Sequence, residues 1–438
     1  MMRSLAAHTL MGVSLLALAA CSGAAVQGVA TNRVQDALHE DVIVNADMWT
    51  AQPEIRGAGL GFVGIQGVPG LTLDDLEASE RLARLAGGAW NTVSCSPDEE
   101  PTLANYTAVA TPESIESIWG APTYYADGYP IEFSWPVLPS SLDASDFLLT
   151  LNTGEQVQPE VASVYPNWEL NERSTVVIFG HFGNRLPPES PGLIWPVSLE
   201  IVDSENPLQL LGPEGPVSAV GLTFTSPPPS SYTDPDVAPI DRGGPNLVAA
   251  KLTRMSTEGE GWPEGPKPLL APVPNDGVAL YGPEAEYRLR IFTSGGMTPD
   301  GVRGLLPTDY EKFFRIKAID DAGEEILIAK VGEDYSINGR TVRVLGLADL
   351  GLKQDTYTDC YVDDRDNQID IVLTGDDDAV RAITAVEIPS TEGYLPLYNP
   401  GGPGNDPTSG VRYAAGTPPI SQDVWVTLDN PMTVSVRD

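Results

Sequence analysis

The sequence is short of cysteine, histidine and positive charge. Three Cys and three His in 438 residues leave too few thiolate and imidazole donors for His-rich zinc sites, and they restrict Ser/His/Asp catalysis to very few candidate bases. Lys and Arg number 25 against 61 Asp and Glu, for a formal charge of −36. Such a surface repels phosphate backbones and anionic headgroups, which excludes nucleic acid as a partner and favours divalent cations or cationic surfaces. Long apolar runs are also missing. The run Leu10 to Ala20 (LMGVSLLALAA) is too short for a bilayer core of roughly 30 Å, and nothing after it is longer. What the chain does have is 43 Gly and 40 Pro, with charged residues at 20%, a balance that suits turn-rich β architecture better than helical bundles or disordered acidic tracts.

Arg3 followed by the apolar run reads as a secretory leader. The run ends in Leu18-Ala19-Ala20-Cys21, which resembles the lipobox of bacterial lipoproteins. That resemblance implies cleavage before Cys21, a diacylglyceryl group on its thiol and an acylated new amino terminus. Each buried CH₂ of such chains contributes about 0.8 kcal/mol, so several chains anchor a protein durably without a transmembrane helix. Ser22 follows the cysteine in place of Asp, which by the family's sorting rule implies the outer membrane. The leader carries one basic residue and no acid, so the mature chain is one charge more negative. Cys95 and Cys360 then remain, in a compartment that permits disulfides, and they either pair or stay as two buried thiols.

The mature chain divides by composition. Residues 21–50 are small and polar and read as a lipidated flexible tether, and residues 51–120 form an N-terminal segment with one short helix. That helix is expected over Leu73 to Ala86, capped by Thr72 with Asp75 three residues on, with Leu73, Leu76, Leu82 and Leu85 as its apolar stripe and Gly87-Gly88 as its stop. Over 121–226 short strands are expected at Ile131 to Trp135, Phe147 to Leu151, Thr175 to Gly180, Val197 to Val202 and Val220 to Thr225, separated by Pro, Gly and Asn. Residues 131 to 157 (IEFSWPVLPSSLDASDFLLTLNTGEQV) resemble the start of a bacterial immunoglobulin-like module, which implies a β-sandwich of about a hundred residues. Residues 227–245 are a Pro-rich linker. Residues 246–438 read as a second β-sandwich, with strands at Phe313 to Ile319, Glu325 to Val331, Tyr357 to Val362, Ile369 to Leu373, Ile383 to Ile388 and Val424 to Leu428. The expected fold class is therefore mainly β: two β-sandwich domains behind a short helix and a tether.

Candidate chemistry is sparse. Asp359, Asp363, Asp364, Asp366, Gln368, Asp370 and Asp376 to Asp378 crowd two turns around one strand, and hard oxygen donors at that density suit Ca²⁺. Asp363, Asp364, Asp366, Gln368 and Asp370 are the expected ligands of a non-EF-hand loop, because Ile369 and Gly375 stand where an EF-hand needs Gly and Glu. Solvated acidic turns that discourage edge pairing explain the same residues. Gly59-Leu60-Gly61-Phe62-Val63-Gly64 matches GxGxxG but lacks the strand before and helix after that dinucleotide binding requires. His181 has no identifiable nucleophile beside it. Trp119, Trp135, Trp168, Trp195 and Trp425 are able to stack on sugars, although tryptophans at such positions more often fill cores. These features point to a non-enzymatic envelope lipoprotein of the outer membrane that binds an envelope protein or glycan. The competing expectation is a surface-anchored metal-dependent phosphatase or glycosidase using the Asp cluster.

Overall fold

The computed structural model describes residues 34–88, 90–95, 103–167, 169–184, 186, 190–226, 246–256, 276–296, 304–351, 353–358, 360–361, 367–389, 394 and 419–436. The protein is mainly β, with antiparallel sheets and few helices. In the N-terminal unit, Ala126–Phe133 is the central strand of a five-stranded sheet and pairs with Ile55–Ala58, Phe62–Gln66 and Thr175–Gly180; Val161–Ser163 lies beyond the last. A four-stranded sheet runs Thr223–Thr225, Pro196–Ile201, Phe147–Leu151, Gln156–Val157. Alternation puts Tyr129, Ile131, Phe133, Val176 and Ile178 of the first sheet and Phe147, Leu149, Leu199 and Ile201 of the second into one core, a sandwich-like arrangement. The first sheet is also covered on its outer side. There the helix Pro112–Trp119 packs Ile115 and Trp119 against Ala126, Val177 and Phe179.

The C-terminal unit repeats this plan with a six-stranded sheet: Tyr335–Ile337, Arg340–Ala348, Gln368–Gly375, Tyr287–Thr293, Leu247–Arg254 and Trp425–Val426, the last pair being parallel. A four-stranded sheet runs Glu325–Ile328, Arg315–Ile319, Ile383–Ile388, Ile420–Asp423. Leu252, Leu289, Ile291, Val344 and Ile371 of the larger sheet meet Ile316, Ile328, Val386 and Ile388 of the smaller in a second core.

Several local expectations are corrected. The short helix begins at Leu76, because the Asp75 side chain accepts the Ala78 N–H at 2.9 Å and so caps it in place of Thr72. Its buried face is Ser79, Ala83 and Ala86, while Leu73, Leu76 and Leu85 of the expected stripe are exposed. The expected tether ends sooner than residue 50. Ile43–Asp47 is a strand paired with Thr433–Val436, and Ile43, Ala46 and Val434 enter the N-terminal core. The last strand of the chain thus returns to the first unit, a pairing across about 390 positions that no local pattern announces. Tyr357, Thr358 and Tyr361 of the expected strand 357–362 are irregular. The linker 227–245 and the start of the tether lie outside the described residues.

Candidate functional site at the junction of the two units

Strand alternation creates the junction. Along Tyr287–Thr293, Leu289 and Ile291 point into the C-terminal core, so Arg288 and Arg290 emerge on the opposite face of the sheet. Lys251 on one neighbouring strand and Asp370 on the other lie level with Arg290. A sequence reading gives that face to solvent, yet all four residues are buried, because the N-terminal unit lies on it.

The covering unit supplies acids. Asp47, at the end of the first strand, pairs with Lys251 and with Arg288 at 2.9 Å, and its carboxylate is 3.7 Å from Arg290. Lys251 Nζ also donates to the carbonyls of Pro431 and Met432 at 2.8 and 2.9 Å. Arg290 donates from Nε to Asp370 at 2.7 Å, pairs with Asp349, and reaches Glu172 at 3.3 Å. Burial alone would raise the Asp47 pKa, but Arg288, Lys251 and Arg290 outweigh it and hold the carboxyl below its ordinary value. Burial pulls Lys251 down to about 8 against the opposing pull of Asp47. Buried ion pairs of this kind are weak as net stabilisers but costly to break, since one charge is then left without its partner. Neutral groups extend the seam: Asn367 accepts at its side-chain oxygen from Asn167 at 3.1 Å and from Thr175 at 3.0 Å.

Among the described residues, Glu169, Glu172 and Asp349 bring three buried carboxylates within 4.8 Å of one another. Their oxygens would suit a hard divalent cation. Here, however, the Arg290 guanidinium already lies against two of the three, Glu172 and Asp349, which serve as its counter-charge. Of the calcium ligands expected from sequence, Gln368 and Asp370 lie among the described residues. Gln368 and Asp370 are buried in a central strand, and Asp370 is held by Arg290; Asp363, Asp364 and Asp366 lie outside the described residues. Asp377 pairs with Arg254, and Asp376 accepts the Thr341 N–H at 2.9 Å.

Above the ionic seam the two units leave a cleft of about 280 Å³, lined by Trp49, Arg56, Ala249, Ala250, Gln422, Asp423, Val424 and Trp425. Trp49 comes from the N-terminal unit and stacks on Phe292 of the C-terminal sheet, ring centroids 4.9 Å apart. Arg56 crosses the junction as well, donating from Nε and Nη2 to the Val248 carbonyl at 2.9 and 2.6 Å. Trp425 is half-buried at the edge of the six-stranded sheet, and Gln422 and Asp423 end Ile420–Asp423, the edge strand of the four-stranded sheet.

The other residues singled out in the sequence lie elsewhere. Cys95 and Cys360 form a disulfide with Cα atoms 5.0 Å apart, which ties the two units together across a separation of 265 residues. His181 is exposed, with Nε2 3.3 Å from a Glu160 carboxylate oxygen. The GxGxxG run follows directly on the strand Ile55–Ala58, which corrects the expectation that no strand precedes it, and its second half opens the strand Phe62–Gln66 where dinucleotide binding needs a helix. Trp119 and Trp135 are held in the fold, their indoles donating to the carbonyls of Val177 and Thr50, and Trp168 lies outside the described residues. Sequence reasoning missed Asp47, Lys251, Arg288 and Arg290, and the available signal was three bases on strand faces in a chain with so few. Comparison with family models, with curated proteins and with solved structures finds no match for this chain, so the geometry of the junction is what bears on function.

Proposed function

We propose that the protein is an exported, lipid-anchored envelope protein that acts without catalysis, as a binding or scaffold module carried at the outer membrane on Cys21. Support for the anchor is the leader and the lipobox-like Leu18-Ala19-Ala20-Cys21. The observation that carries the reading furthest is the Cys95–Cys360 disulfide: with two of three cysteines oxidised to each other, the chain suits an oxidising compartment, and Cys21 is the third. Support for binding rather than catalysis is the occupation of the buried charges, since Lys251, Arg288 and Arg290 are paired with Asp47, Asp349 and Asp370 and hold two units as one body. Immunoglobulin-like modules in such a body would present their loops and the junction cleft to an envelope protein or glycan. The test is metabolic labelling with radioactive palmitate and membrane fractionation. Wild-type protein should carry label and sediment with membranes, whereas Cys21→Ser should lose both. Label retained by Cys21→Ser, or absent from the wild type, would remove the anchor.

A further inference from the structure

We infer that the junction cleft is a binding site for an uncharged carbohydrate, with Trp425 as the stacking platform; the inference rests on the binding-protein reading and names the ligand class and the site. Ligand pockets favour junctions between folded units, and they combine apolar walls with a few converging polar groups. This cleft has that composition: two indoles and the side chains of Ala249, Ala250 and Val424 make the walls, while Gln422, Asp423 and Arg56 bring an amide, a carboxylate and a guanidinium. Trp49 is only 4% exposed and is stacked on Phe292, so it is a fixed wall, and the half-buried Trp425 is the ring left open to a ligand.

The chemistry selects among ligands. A volume of about 280 Å³ falls just below the ~300–1,000 Å³ of pockets that enclose drug-sized molecules, which gives room for one ring and not for a dinucleotide. Arg56 is already paired with Glu54 at 2.8 Å, so the rim offers no spare cation to draw an anionic group, and a chain at −36 repels anionic polymers at long range. What fits is a polar, uncharged ring with one apolar face to lie on an indole and hydroxyls to bond a carboxylate and an amide. A sugar ring of a neutral glycan has those properties. Asp423 accepts from hydroxyls, and the Gln422 side chain both donates and accepts. Arg56, already committed to Val248, fixes the floor.

The test is calorimetry with tryptophan fluorescence on the full lipidated chain, held in a detergent without a sugar headgroup. The probes are a neutral hexose tetrasaccharide and a neutral N-acetylhexosamine tetrasaccharide. At least one should bind saturably, Trp425→Ala should weaken it about tenfold, Trp425→Phe should recover most of that loss, and the saccharide should be recovered intact. No binding of either probe, or equal binding by Trp425→Ala with an unchanged melting temperature, would overturn the assignment. So would binding of a charged oligosaccharide alone. The anchored reading falls separately: it fails if Cys21 carries no lipid, whatever the saccharides do, and its non-catalytic half fails if the saccharide is returned cleaved.

Discussion

Replacing Glu132 by Gln should make the protein progressively more stable than wild type as the pH rises. Glu132 lies in the strand Ala126–Phe133, on the outer side of the sheet where the two units meet, and it is fully buried. Beyond the residue's own backbone N–H, neither carboxyl oxygen has a hydrogen-bond partner among the described residues. The fit is tight. A Cβ added at Gly57 would come to 2.7 Å from Glu132 Oε2 and 3.1 Å from Val248 Cγ1. Burial pushes the carboxyl well above its ordinary 4.5, offset only in part by its own backbone N–H. The sign follows: an acid whose folded pKa is raised has its stability fully present below the unfolded value, and loses it as pH climbs toward the folded value. Each pH unit in that window costs about 1.4 kcal/mol. Gln keeps the shape and does not titrate, so the difference in stability between variant and wild type should grow with pH between the unfolded and the folded carboxyl values, by up to about 1.4 kcal/mol per pH unit. For a chain of this length that is up to about 1.5 °C per pH unit in the melting-temperature difference, at roughly 2.1 cal/mol/K per residue. Scanning calorimetry of both proteins at four pH values reads the slope and ignores any constant offset from the substitution. A flat difference, or a wild type that gains on the variant as pH rises, would refute the buried neutral carboxyl.

Other expectations follow from the junction. Asp47→Asn leaves Lys251, Arg288 and Arg290 short of a counter-charge and should cost about 3–5 kcal/mol, read as a fall in the denaturant midpoint. Replacing Cys95 and Cys360 together by Ala opens a covalent loop of separation 265, worth up to about 5–6 kcal/mol in the chain-entropy account; reductant should therefore lower the melting temperature of wild type and not of the double variant. Asp370→Asn should destabilise equally with and without millimolar Ca²⁺, because Arg290 holds that carboxylate. A calcium-dependent difference in melting would return Asp370 to the expected ligand set.

Elements with a strong local pattern were legible in the sequence. Phe147–Leu151 and Thr175–Gly180 fall where alternation and apolar runs place them, as does Ile383–Ile388. The pieces that escaped depend on partners far away in the chain. Ile43–Asp47 looks like tether until Thr433–Val436 pairs with it, and Arg288 and Arg290 look like a solvent face until Asp47 and Glu172 cover them. The helix failed for a different reason: Leu73, Leu76 and Leu85 form a regular stripe, but tight packing selected the small side chains of Ser79, Ala83 and Ala86. Of the candidate site, Trp425 was visible as one of five tryptophans able to stack on a sugar, and nothing in the sequence placed Trp49 and Arg56 beside it. Residue type in the Asp-rich turns was visible and counter-charge was not: Asp370 faces guanidinium, not solvent.

The most direct test of the account is mass spectrometry of the amino-terminal peptide of the protein extracted from membranes. A peptide beginning at Cys21 and carrying a diacylglyceryl group on its sulfur is the predicted result. An unmodified peptide beginning at any other residue would contradict it.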